Sequence, residues 1–139
     1  MDYNKMKPRH FFFCCMIFLS VHATDASSQS LIFCESADKY GKAINPADTF
    51  DINPEGGMLT VLLKPGHALN TSLINYEIYY FSDSVSLYNN TEQKEVQSNW
   101  LFCWIHLFFK DEGKYRVRAL DAEKNLLGTA EVFIKADKK

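Results

Sequence analysis

The sequence predicts an all-β fold, a single antiparallel β-sandwich, on three observations. Apolar and polar residues alternate over Met58–Leu63, Leu73–Phe81 and Lys114–Ala119, the period of strands with one dry face and one wet face. Turn-forming groups separate these runs: Asn53-Pro54-Glu55-Gly56-Gly57, Lys64-Pro65-Gly66 and Ala122-Glu123-Lys124-Asn125. No long stretch has the spacing of an amphipathic helix.

The chain opens with a different signal. Lys5, Lys7 and Arg9 precede the short apolar run Phe11–Leu19, and Val21-His22-Ala23 supplies a cleavage-site pattern. This is the organisation of a secretory signal peptide over 1–23, with cleavage after Ala26 as the near rival. The apolar run is far shorter than the roughly 20 residues that span a bilayer. The expected mature domain is 24–139, the size of one domain, in an extracytoplasmic compartment, periplasmic or secreted. Cleavage removes those three basic residues and only Asp2, so the remainder is more acidic than the net −2 of the whole chain. No basic patch is left to hold a phosphate backbone, which argues against nucleic acid.

In the expected domain, Thr24–Ser30 reads as a loose leader and Leu31–Glu35 as the first strand. Ser36–Thr49 is a connection, and Phe50-Asp51-Ile52 a brief strand before the turn at 53–57. Met58–Leu63 turns Leu59, Val61 and Leu63 to one face. Leu73–Phe81 turns Ile74, Tyr76, Ile78 and Tyr80 to one face. Val85–Tyr88 reads as a short edge strand, followed by a polar run, Asn89–Ser98. After the aromatic stretch Trp100–Lys110 comes a charged turn with Gly113, whose freedom at positive φ suits a tight entry. The strand beginning at Lys114 follows, and Leu126–Lys135 is its return partner, with Gly128 placed for a bulge.

The stretch Asp111-Glu112-Gly113-Lys114-Tyr115-Arg116-Val117-Arg118-Ala119 resembles the Asp-x-Gly-x-Tyr-x-Cys-x-Ala signature of strand F in immunoglobulin domains. The resemblance implies an immunoglobulin-like sandwich. It also implies that Tyr115 serves as the tyrosine corner, its hydroxyl bonding back to the main chain. Val117 stands where that family has its second core cysteine. The likeness covers about the last quarter of the chain, and elsewhere only in strand pattern.

Cys34 and Cys103 remain after removal of the leader. An even count in an exported chain is compatible with one disulfide, worth about 4 kcal/mol for so long a loop; two separate buried thiols are the alternative. Cys34, Cys103, His67 and His106 are the residues a metal or a Cys–His catalytic pair would draw on. Cys103 and His106 fall on opposite faces of one strand, and no close ligand pair supports a site. Asp48, Asp51, Glu55, Asp111 and Glu112 lie near turns without calcium-loop spacing. No cofactor, metal or catalytic residue is expected.

The most informative stretch is Trp100–Phe109. If extended, it is apolar on both faces: Leu101, Cys103, Ile105, Leu107 and Phe109 on one, Trp100, Phe102, Trp104, His106 and Phe108 on the other. A sandwich strand buries one face, so the second is covered by the long connections or the N-terminal leader, or offered to a partner; the remaining reading is that part of the run is helical. The expected function is non-catalytic recognition of a protein or glycan through Trp100, Phe102, Trp104 and Phe108, with self-association as a further possibility. The alternatives are a structural subunit of an envelope assembly and a small exported enzyme using Cys or His.

Overall fold

The computed structural model describes residues 30–137. The expected signal peptide, 1–23, and its cleavage site lie outside the described residues. The described chain forms strands β1 (Leu31–Cys34), β2 (Ser36–Ala37), β3 (Ala43–Ile44), β4 (Thr49–Ile52), β5 (Gly57–Leu63), β6 (Leu73–Ser82), β7 (Val85–Glu95), β8 (Cys103–Phe109), β9 (Gly113–Leu120) and β10 (Leu126–Ala136). Among the described residues there is no helix long and apolar enough to cross a membrane.

Two sheets face each other. The smaller has the order β1-β5-β8, the larger β4-β10-β9-β6-β7, and β2-β3 forms a two-stranded ribbon. The core lies between the sheets. Leu31, Phe33, Leu59, Val61, Leu63, Leu107 and Phe109 come from the smaller sheet. Ile74, Tyr76, Ile78, Tyr115, Val117, Ala119, Val132 and Ile134 come from the larger. The expected alternation over Leu59/Val61/Leu63 and Ile74/Tyr76/Ile78 is the one that fills this core.

Three departures from the sequence reading have physical causes. The larger sheet is not wholly antiparallel, because β4 pairs with β10 in parallel. The chain leaves β1, crosses to the rim of the larger sheet as β4, and returns through the turn at 53–56 to become β5. That turn closes by a 2.8 Å bond from the Gly56 amide to the Asn53 carbonyl. The edge strand expected over Val85–Tyr88 is longer: it runs on through the polar residues 89–95 as β7, paired with β6 as far as Leu73 opposite Glu95. The added stretch is polar because β7 is an edge strand exposed over nearly all its length. Finally, β5 is buried on both faces. Thr60 and Leu62, which point away from the core, are each 1% exposed. The segment after β1 covers them, and Thr60 Oγ1 donates to the Glu35 carbonyl at 3.1 Å.

The start of β9 is fixed by one side chain. Tyr115 Oη donates to the Asp111 carbonyl at 2.8 Å. Its ring packs edge-on against Phe109 at 4.9 Å and beside Tyr80 at 5.1 Å between centroids. Gly113 sits at φ +143°, where a Cβ would come within 2.6 Å of the Tyr80 ring. The β9–β10 hairpin slips register at Gly128. Its turn is held by Asp121, whose Oδ1 accepts from the amides of Glu123 at 2.9 Å and Asn125 at 2.8 Å.

Tyr115→Phe keeps the packing and removes one hydrogen bond. It is expected to lower unfolding stability by about 1 kcal/mol. In urea the midpoint should fall with an unchanged slope; an unchanged midpoint would show that the bond adds nothing to the fold.

Candidate functional site

The sequence Cys103-Trp104-Ile105-His106-Leu107-Phe108-Phe109 forms β8 because β-branched and aromatic residues fit a pleated surface. Cys103, Leu107 and Phe109 are buried inward, while Trp104, His106 and Phe108 are exposed outward. The strand begins later than the sequence reading placed it. Residues 98–102 turn instead, with the Trp100 amide bonded to the Gln97 carbonyl at 3.1 Å and the Trp100 carbonyl accepting from the Leu69 amide at 2.8 Å. Leu101, expected on the inward face, is therefore turned outward and 62% exposed.

The turn and the strand start enclose a cleft of about 310 Å³ lined by Lys94, Trp100, Leu101, Phe102, Cys103 and Trp104. That is the low end of the range for ligand clefts, about 300–1,000 Å³. Phe102 forms its fixed wall: it lies so close to Gly41 that a Cβ there would come within 2.7 Å of the ring. Trp100 (38% exposed) and Trp104 (37%) form the open walls. Lys94, reaching from β7, places Nζ 4.8 Å from the centre of the Trp104 ring, within cation–π range. His106 lies on the other side of the site, its ring 5.1 Å from Trp104 and its Nδ1 3.0 Å from Thr60 Oγ1.

Of the four predicted binding residues, the structure brings Trp100, Phe102 and Trp104 together and leaves Phe108 apart. Phe108 sits at the far end of β8 against Gly56. Sequence reasoning missed Lys94 and Leu101. Lys94 was hidden because 89–95 is polar on both faces, so no apolar–polar alternation marks it as strand.

Of the two alternatives for the cysteines, the structure has the separate buried thiols. Cys34 and Cys103 are both free and buried. They lie on β1 and β8 with β5 between, Cys34 opposite Thr60 and Cys103 opposite Leu63. Two strand spacings alone amount to roughly 10 Å, beyond the Cα separation of about 7 Å that a disulfide tolerates. Cys34 Sγ donates instead to the Thr60 carbonyl at 3.6 Å, and Cys103 Sγ meets Tyr76 Oη at 3.3 Å. Burial pushes both thiols above their ordinary pKa; the Tyr76 hydroxyl and the Lys94 charge only partly offset this at Cys103. Burial, then the neighbouring Cys103, raises the Tyr76 hydroxyl strongly.

The remaining chemistry-bearing residues do not converge. Cys103 points into the core and His106 out of it, while exposed His67 bonds the Ala68 carbonyl at 2.7 Å. Among the described residues, no three His, Cys, Asp or Glu side chains group as metal ligands.

No protein-family model matches the chain, and no curated protein matches it. Solved structures do. Superoxide reductase (neelaredoxin) from Ignicoccus hospitalis aligns at 14% identity and a TM-score of 0.42, over 66% of this chain and 76% of that one. A point-substituted form of the same protein aligns at 13% identity and a TM-score of 0.46, over 81% and 83%.

With both thiols buried and apart, alkylation of the folded protein at pH 8 is expected to be slow. Both cysteines should react once the protein unfolds. A reductant should leave the melting temperature unchanged; a drop on reduction would mean that a bridge forms after all.

Proposed function

We propose that this chain is an exported, immunoglobulin-like binding module that recognises a protein partner through the aromatic cleft at the start of β8, without catalysis. The cleft itself carries this reading: two half-exposed tryptophans and an exposed leucine surround a concavity with a buried wall. Aromatic residues concentrate at the centres of recognition sites, where they bury much area with few rotatable bonds. The immunoglobulin-like assignment rests on the two facing sheets and on the Tyr115 hydroxyl bonded to the Asp111 carbonyl. Export rests on the leader pattern at 1–23.

Trp104 itself favours a protein over a glycan. Sugars stack on an open aromatic face, but Lys94 lies over the Trp104 ring and His106 leans against it. The ring edge and the lysine remain available, a combination suited to an apolar side chain next to a carboxylate. The absence of catalysis is supported by the cysteines: a thiol turned into the core with a raised pKa makes a poor nucleophile.

Replacing Trp100 and Trp104 together by Ala is expected to weaken partner binding at least about tenfold. The loss of stability should be modest, because both side chains are only half-buried. The measurement is cross-linking capture from cell envelope and medium with the tagged protein, alongside an unfolding curve. Capture that survives in a folded double variant would contradict the proposal. Recovery of the chain's own copies alone would favour a self-assembling structural subunit instead.

A further inference from the structure

The two sheets differ in width, and the difference leaves a vacant strand position. Among the described residues, β8 has one neighbour in the smaller sheet, β5, and its other edge is unpaired over Cys103–Phe109. In the larger sheet β7 lies beyond β6, which itself faces β8: Tyr76 Oη on β6 meets Cys103 Sγ on β8. β7 therefore overhangs the open edge, with no strand of the described residues opposite it.

The side chains of β7 record this. Leu87 pairs across from Tyr80, Asn90 from Ile78, Glu92 from Tyr76 and Lys94 from Ile74. Directly opposed residues share a face, so all four point to the inner side of the sheet. On that side Ile74, Tyr76 and Ile78 are buried, yet Leu87 is 49% exposed and Glu92 is exposed too. A cleft marks each end of the open edge. The aromatic cleft includes Lys94, Cys103 and Trp104. A second, of about 320 Å³, is lined by Tyr80, Leu87, Tyr88, Asn89, Asp111 and Tyr115.

We infer that this position takes one extended segment of a partner protein, which adds to the β8 edge as the fourth strand of the smaller sheet. The inference rests on the reading of the aromatic cleft as a binding site and names what that site holds. An unpaired edge offers alternate backbone N–H and C=O groups, which only another extended backbone satisfies in series. The width of the opening decides against a second copy pairing through its own β8. That copy would bring its own overhanging β7 into the space already occupied by β6 and β7. One free strand fits; the edge of another such sandwich does not.

The floor of the position states the partner's chemistry. Its inward side chains meet Leu87 at one end, then Asn90 and Glu92, whose carboxylate accepts from the Asn90 side-chain amide at 3.2 Å, and Lys94 at the other end. None of the three ion pairs among the described residues involves Glu92 or Lys94. The fitting segment therefore carries, at every second residue, an apolar side chain, then a polar one against Asn90, then a basic one, then an acidic one against Lys94 and the Trp104 edge.

The test uses random ten-residue peptides displayed on phage, selected on the purified protein, then synthesised and scanned with N-methyl groups one backbone position at a time. Strand addition predicts a period of two: methylation at alternate residues weakens binding about tenfold or more, as loss of one backbone bond does, and at intervening residues hardly at all. Lys94→Glu should weaken the selected peptides and accept their acid-to-lysine counterparts. Peptides that bind without this period, and are lost with the Trp100/Trp104 double variant, would overturn strand addition and leave the aromatic cleft as a binding site. Selection of no peptide, from protein shown to be folded by its unfolding curve, would overturn strand addition as well. Loss of the double variant's envelope partner would then still uphold the cleft.

Discussion

Everything in this molecule depends on how three strands cover five. A sandwich needs two faces of matching area, and the smaller sheet cannot supply one. Its central strand compensates by being buried on both sides. β5 puts Leu59, Val61 and Leu63 into the main core and Thr60 and Leu62 beneath the segment that follows β1. Thr60 is the one polar group on that outer face driven to near-complete burial, and its hydroxyl is satisfied by the Glu35 carbonyl and His106. Unsatisfied, it would cost on the order of 1–3 kcal/mol.

The same mismatch creates the candidate site. At the β1 side the larger sheet is matched by the β1–β10 contact and by the crossing of β4. At the β8 side it is not matched, and β7 extends into solvent. Trp100, Leu101 and Trp104 gather where the smaller sheet stops. Lys94 bridges the step by lying over the Trp104 ring. A fully covered aromatic strand would have been simple core, and an isolated one would invite aggregation. The overhang and the single lysine leave an edge that is partly shielded and still open to one more strand.

Much of the fold was legible in the residues, and the reasons are local. Period-two alternation placed β5, β6 and β9, and the charged turn with Gly113 placed Tyr115, because both signals act within a few residues. The misreadings came from non-local facts. The run 89–95 is polar because its strand is an edge, so composition hid the second half of β7. Leu101 points outward because its turn is set by backbone bonds to Leu69 and Gln97, which no pattern in 100–109 contains. Cys34 and Cys103 looked pairable because spacing along the chain does not reveal that β5 separates them. Of the candidate site, the tryptophans were visible as surplus apolar residues. Lys94 was hidden with the strand that carries it, and Phe108 was assigned to the site only by sharing a face with Trp104.

Native-state amide exchange on the isolated protein reads which edge of β8 is paired. Alternation within the one strand is expected. The β8 amides bonded to β5 should exchange slowly, with protection approaching that of β9, and the intervening β8 amides should exchange quickly. Slow exchange at every position from Cys103 to Phe109 would mean that the edge is already closed, and the vacant strand position would not exist.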